Sequence, residues 1–179
     1  MKKKVMALVL SALMVTGLVG CGNNNDNSAD SKESTLKVGM ITDSGTIDDK
    51  SFNQGTWEGI IEAEEKLGIE KNYLKPSGET EADYLTEIQN LYDSGYKFIV
   101  GPGFKLETAI YKAQEKYQDA KFVILDGAPM DEDGNYVVAD NTVAIQFAEH
   151  EGGFAAGVAA AVELQTGDFG FIGGMESSA

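Results

Sequence analysis

KVGMITDSGTIDDKSFNQGTWE, residues 37–58, reads as a buried strand, a polar turn carrying Asp43, Asp48 and Asp49, and the opening turns of a helix. Val38, Met40 and Ile41 supply a short, nearly continuous apolar run, the pattern of a parallel strand covered on both faces. Ser51 to Gln54 match the S-x-x-Q capping box, whose side chains satisfy the backbone donors left open at a helix start. Thr56, Ile60, Ala63 and Leu67 then recur at helical spacing with Trp57 at the edge of the stripe, while Glu58, Glu62 and Glu65 fall on the wet side. Gly68 ends the helix. Asp48 and Asp49, just before that helix, suit its positive end.

Outward from this stretch the same unit repeats. A weak strand is expected over 72–75, a helix over 82–94 closed by Gly95, a strand over 97–101 and a helix over 105–118. KFVILD, residues 121–126, is the clearest strand of the chain, and a polar turn follows at 131–134. Residues 136–146 should hold a further strand or two. A helix over 147–164 follows, with Phe147, Phe154, Val158 and Ala161 on one face and Gly153 and Gly157 allowing close approach. A last strand is expected over 169–173. Alternating strands and helices at this spacing imply an α/β fold with a parallel, doubly wound sheet.

Before the body lies an export signal. Lys2, Lys3 and Lys4 precede an apolar, charge-free run over 5–19, shorter than the roughly 20 residues that a membrane span needs. Residues 1–20 therefore read as a signal peptide. The run ends in Leu18-Val19-Gly20-Cys21, which resembles the bacterial lipobox and makes Cys21 the expected lipid attachment site. Cys21 is the only cysteine, so an intrachain disulfide, a CxxC pair and a cysteine zinc cluster are excluded. The polar, low-complexity segment that follows makes 21–35 a flexible tether.

The net charge is −15, and all fourteen basic residues are lysines. So acidic a chain repels nucleic acid phosphates, and without arginine it has no bidentate fork for an anion. In open parallel sheets, ligands bind outside the carboxyl ends of the strands. Those ends offer Asp43 and Ser44, the run Gly101-Pro102-Gly103-Phe104, and Asp126 with Gly127, with Phe52 and Asn53 opening the first helix. Two carboxylates, an amide, a hydroxyl and two phenyl rings suit a small polar ligand with a face to stack on. Each residue also has a plain structural role open to it. Asp43 and Asp126 suit loop capping, Phe104 suits the core or a loop anchor, and Phe52 could pack beneath its helix or point into the crevice.

Most enzyme chemistries lack their residues. GxxxxGK[ST] is absent, Gly101-Pro102-Gly103 lacks the third glycine of a dinucleotide loop, and Phe154 stands where His150-Glu151 would need the second histidine of HExxH. Asp131 to Gly134 lacks calcium-loop spacing, and no GxSxG elbow accompanies the single histidine. No cofactor or metal is expected.

MITDSGTIDDKSFNQGTWEGI, with VGPGF, FVILDG, NTVAIQFAEHEGGFAAGVAA and FGFIGGM, resembles the basic membrane protein family, the PnrA-like substrate-binding lipoproteins of ABC importers. The resemblance runs from Lys37 to the end of the chain, and its most specific element is Asp43 followed by Phe52-Asn53. It implies a two-lobed type I periplasmic-binding-protein fold, with lobe one over 36–146 and the start of an incomplete lobe two over 147–179. It also implies a purine nucleoside ligand, with Phe52 stacking on the base, Asn53 and Asp126 bonding its polar edge, and Asp43 and Ser44 completing the wall. The expected partners are that nucleoside, an ABC permease and the membrane through the Cys21 anchor, for a monomer on the extracytoplasmic side. A receptor for another polar ligand such as a sugar, or a surface-anchored nucleoside hydrolase using Asp43 and Asp126, are the alternatives.

Overall fold

The computed structural model describes residues 35–165 and 167–173; the expected export segment, Cys21 and nearly all of the expected tether lie outside the described residues. Five strands form one sheet: β1 (Lys37–Ile41), β2 (Glu70–Leu74), β3 (Phe98–Pro102), β4 (Lys121–Leu125) and β5 (Thr142–Ile145). Their order is β2-β1-β3-β4-β5, and every neighbouring pair is parallel. The helices are α1 (Phe52–Leu67), α2 (Glu81–Asp93), α3 (Glu107–Lys116), preceded by a 3-10 turn over Phe104–Leu106, and α4 (Glu149–Leu164).

Alternation within the strands divides the core. Val38 and Met40 of β1 face α1, where they meet Ile60, Ile69 and Val100 with Trp57 and Ala63 at the margin. Ile41 faces the other way, into a larger cluster built from Tyr84, Ile88 and Leu91 of α2, Ala109, Ile110 and Ala113 of α3, and Ile99, Phe122 and Ile124 of the sheet. Ile88, Leu91 and Ile110 are each at most 1 % exposed, and burying such a side chain contributes about 1.5–3 kcal/mol. Gly39 is required by this packing, because a Cβ there would sit 2.8 Å from a Leu91 methyl. Helices on both faces make the sheet doubly wound, as the sequence implies.

From β1 the chain moves outward to β2 and then crosses back over β1 to β3, so the strand order reverses between the carboxyl ends of β1 and β3. That is the position at which such sheets open a crevice.

β4 and β5 are joined without a helix. Two buried amides hold this connection. Gln114 donates from Nε2 to the Val137 carbonyl (2.7 Å) and accepts from the Ala139 amide. Asn141 donates from Nδ2 toward the carbonyls of Gln114, Tyr117 and Ala120, closing the end of α3.

Three local expectations need correction. Ser51 makes no side-chain cap to α1. Asp49 takes that role, accepting from the amides of Ser51 (2.8 Å) and Gln54 (3.1 Å), while Gln54 Oε1 accepts from the Lys50 amide. Residues 169–173 form no strand and join none of the five described strands. Phe147 lies on the connection between β5 and α4 rather than in the helix, and Phe154 (75 % exposed) and Val158 face outward rather than into a core. No helix among the described residues is long and apolar enough to cross a membrane.

Candidate functional site

The rim at the carboxyl ends of β1, β3 and β4 carries all the expected site residues except Cys21. Its tightest part is a knot centred on Asn53, which the first turn of α1 buries to 1 % exposure. Asn53 Nδ2 donates to Asp43 Oδ1 and to Asp49 Oδ2, both at 2.7 Å, and its Oδ1 accepts from the Asp43 amide at 3.1 Å. Asp43 Oδ1 also accepts from the Gly45 amide at 3.0 Å. The loop thus wraps round one side chain. A Cβ on Gly45 would lie 2.6 Å from Asn53 Nδ2, so only glycine lets the backbone pass this close. Burial pushes the Asp49 carboxyl up, but the hydrogen bonds from Asn53, Gln54 and Ser51 outweigh it and hold it below the usual carboxylate range.

Asp43 also reaches across the switch point. A Cβ on Gly103 would lie 3.2 Å from Asp43 Oδ2, and Gly103 has φ 104°, a conformation open to glycine. The Gly103 amide donates to the Leu125 carbonyl at 2.7 Å, tying the β3 loop to the end of β4. Ser44 is exposed at the tip of the first loop.

Phe52 lies at the mouth, 41 % exposed. Its ring stacks on Phe147 with centroids 5.9 Å apart and an interplanar angle of 27°. The two rings flank an open depression of about 390 Å³ lined by Ser51, Phe52, Gly55, Thr56, Leu125 and Phe147. Phe52 therefore points out from the helix start rather than under it. Phe104, also 41 % exposed, heads the 3-10 turn beside Lys105, which pairs with Glu79 at 2.6 Å.

Asp126 follows Leu125 directly. Its φ of 58° places a non-glycine residue in the left-handed region, and its amide donates to the Ile145 carbonyl at 2.8 Å. Burial pushes its carboxyl up, and the Glu149 carboxyl beside it adds to the rise. Close by, Glu107 is 8 % exposed and accepts from the Ala128 amide at 3.1 Å. Burial pushes Glu107 up as well; the Ala128 bond opposes this and the Asp126 charge adds to it.

The structure thus joins Asp43 and Asn53 directly and sets Phe52 against the end of the strand that carries Asp126. Asn53 has both amide hydrogens and its oxygen engaged within the protein, and at 1 % exposure it meets its own loop rather than the crevice. Glu107, the meeting of Phe147 with Phe52, and the hydrogen bonds by which Asp49 holds Asn53 were not visible in the sequence, which placed Asp49 only at the positive end of the helix. A glutamate at a helix start resembles any residue placed there for the dipole, and nothing in its spacing marks it as buried. Among the described residues, no group of acids or His150 is arranged to hold a metal ion. The chemistry on offer is an aromatic face, an apolar floor and carboxylate acceptors, suited to binding a neutral ligand with N–H and O–H donors.

Residues 36–179 match the family described as ABC transporter substrate-binding protein PnrA-like. The chain is 36 % identical to a CD4+ T-cell-stimulating antigen of Listeria innocua, over 99 % of this chain and 50 % of that protein. It is also 36 % identical to the ABC transporter nucleoside-binding protein BmpA of Lactococcus lactis, again over 99 % of this chain and 50 % of that one. Among solved structures, an ABC transporter solute-binding protein from Aeropyrum pernix superposes with a TM-score of 0.61 at 26 % identity, covering 74 % of this chain and 35 % of that one. The chain spans about half the length of the curated relatives it matches most fully. With a periplasmic-binding-protein-like sheet and a family match over the whole described body, the chain belongs to the PnrA-like family of ABC transporter substrate-binding proteins.

Proposed function

We propose that this protein is a lipid-anchored receptor that captures a purine nucleoside outside the cytoplasm and delivers it to an ABC permease. The observation that carries the reading is Phe52, an aromatic ring exposed at the carboxyl rim of the sheet beside an apolar depression, on a rim that also carries Asp43 and Asp126. A purine stacks on such a ring, and base–aromatic stacking contributes about 1–3 kcal/mol per base. Asp126 and Asp43 accept from the N–H and O–H groups of the ligand. Asn53, buried beneath the loop, acts by holding Asp43 in place, and Ser44 and Phe104 complete the wall. A chain without arginine favours the nucleoside over its phosphate esters. The nucleoside-binding label of the Lactococcus relative supports the same ligand class.

In this reading residues 36–146 form the first lobe and residue 147 opens a second. The exposure of α4 at nearly every position supports its placement in a separate layer. Cys21 carries the lipid that keeps the receptor at the outer face of the cell membrane, as a monomer. Calorimetric titration with inosine, guanosine, adenosine and ribose tests the proposal. Heat from the purine nucleosides and none from ribose is expected, with Phe52→Ala weakening binding by about tenfold or more. Binding of ribose alone, or of nothing, would overturn it.

A further inference from the structure

We infer that Glu107 is a positioning residue: it latches the Asp126 turn to the start of α3 and so fixes where the Asp126 carboxylate stands. The inference rests on the proposed role of Asp126 in ligand binding. Asp126 is held in the left-handed region at φ 58°, a conformation that persists in a non-glycine residue when its surroundings impose it. On its amino side the turn is fixed by the sheet, through the Asp126 amide on Ile145 and the Gly103 amide on Leu125.

On its carboxyl side Glu107 is the first anchor the chain meets, ahead of the Val137 amide that donates to the Pro129 carbonyl at 2.8 Å. Glu107 Oε1 accepts from the Ala128 amide at 3.1 Å, and the Glu107 carbonyl accepts from the Met130 amide at 3.3 Å. Gly127 between them leaves no slack, since a Cβ there would lie 2.8 Å from Glu107 Oε1 and 3.2 Å from the Phe104 backbone. The side-chain bond lies inside the protein, with Glu107 8 % exposed, so water cannot readily replace it if it is removed. Because Glu107 directly follows the 3-10 turn that begins at Phe104, the same latch sets the β3 loop against the β4 loop.

Two substitutions separate the acceptor from the rest of the side chain. Glu107→Gln keeps an oxygen for the Ala128 amide; Glu107→Leu keeps bulk and removes it. Hydrogen exchange at the Ala128 amide, followed by NMR without ligand, reads the latch directly, and titration with inosine reads its consequence. In the leucine variant, Ala128 exchange is expected to accelerate and inosine affinity to fall about tenfold, with both restored to within about threefold by glutamine. Unchanged Ala128 protection in Glu107→Leu would overturn the inference whether or not inosine binds. Undiminished inosine affinity in Glu107→Leu would overturn it too. If the unsubstituted protein ignores inosine, the ligand reading fails, and Ala128 exchange alone decides whether the latch exists.

Discussion

Replacing Asn53 by alanine removes three hydrogen bonds at once. Two of them run to carboxylates at 2.7 Å and one accepts a backbone amide at 3.1 Å. A bond to a charged group contributes about 1.5–3 kcal/mol and a neutral one about 1 kcal/mol, which bounds the loss at about 4–7 kcal/mol. The cost should fall well inside that bound. Asp43 keeps the Gly45 amide, Asp49 keeps Ser51 and Gln54, both carboxylates lie near enough to the surface to recruit water, and alanine is the better helix former. The expected loss is about 2–3 kcal/mol, a shift of about 1–2 M in a urea midpoint.

Asn53→Asp sharpens the test, because it keeps the shape and turns a donor pair into a third acid facing two others. Repulsion raises the new carboxyl's folded-state pKa above its unfolded value. Its charged form therefore costs stability at neutral pH, and the protein recovers stability as pH falls toward the unfolded value of about 3.9. Urea unfolding followed through Trp57, the one tryptophan, which packs edge-on against Tyr73 at 5.0 Å, gives both numbers. A midpoint shift below about 0.3 M for Asn53→Ala, against the 1–2 M expected, would refute the knot as a source of stability. So would pH profiles of the two variants that run parallel between pH 4 and 7.

Asn141→Ala should cost about 2–3 kcal/mol in the same urea assay, since it uncaps buried carbonyls at the end of α3; a shift under about 0.5 kcal/mol would show that the cap is dispensable. Glu107→Gln should gain on the unsubstituted protein as pH rises. Burial raises the folded pKa of Glu107 above its ordinary value of 4.5, so its favourable contribution is complete below that value and is lost as pH climbs through the folded one. Midpoints at pH 4 and pH 7 that differ by the same amount for both proteins would contradict the buried placement.

The sheet was legible because buried parallel strands are short continuous apolar runs and the glycines between them are punctuation. Helix phases held at Ile60, Ile88 and Ile110, where one face is covered, whereas Leu67, expected in the apolar stripe of α1, is 75 % exposed at the end of that helix. Two failures share a cause. The capping box at Ser51 was a match of residue types, whereas the cap depends on reach, and Asp49 upstream reaches the same amides. Phe147 fitted the helical period of α4, yet the chain leaves β5 at Ile145 and begins the helix at Glu149, and so the ring falls on the connection, free to meet Phe52. The apolar run at 169–173 pairs with none of the described strands, and pairing is something no sequence window contains.

The site divides in the same way. Which residues line the rim follows from which residues end strands, and that is readable from sequence. Whether their polar atoms are free is not, because it depends on partners far along the chain. Asn53 is drawn into the fold by Asp43 and Asp49, and Glu107 is buried by the loop that carries Asp126.

The position of β1 sets an order in time. Of the described strands it is the first to be made, and it lies inside the sheet, flanked by β2 and β3, with Val38 paired to Lys71 on one side and to Phe98 on the other. Its two ladders close only after β2 and β3 have arrived, and pairings of such long range are slow to form. For any chain that crosses a membrane threaded from its amino end, the delay keeps the central strand extended and unpaired through most of the passage. In a chain so threaded, the topology that places Asp43 at the crevice postpones the crevice until the strands on either side of β1 are across.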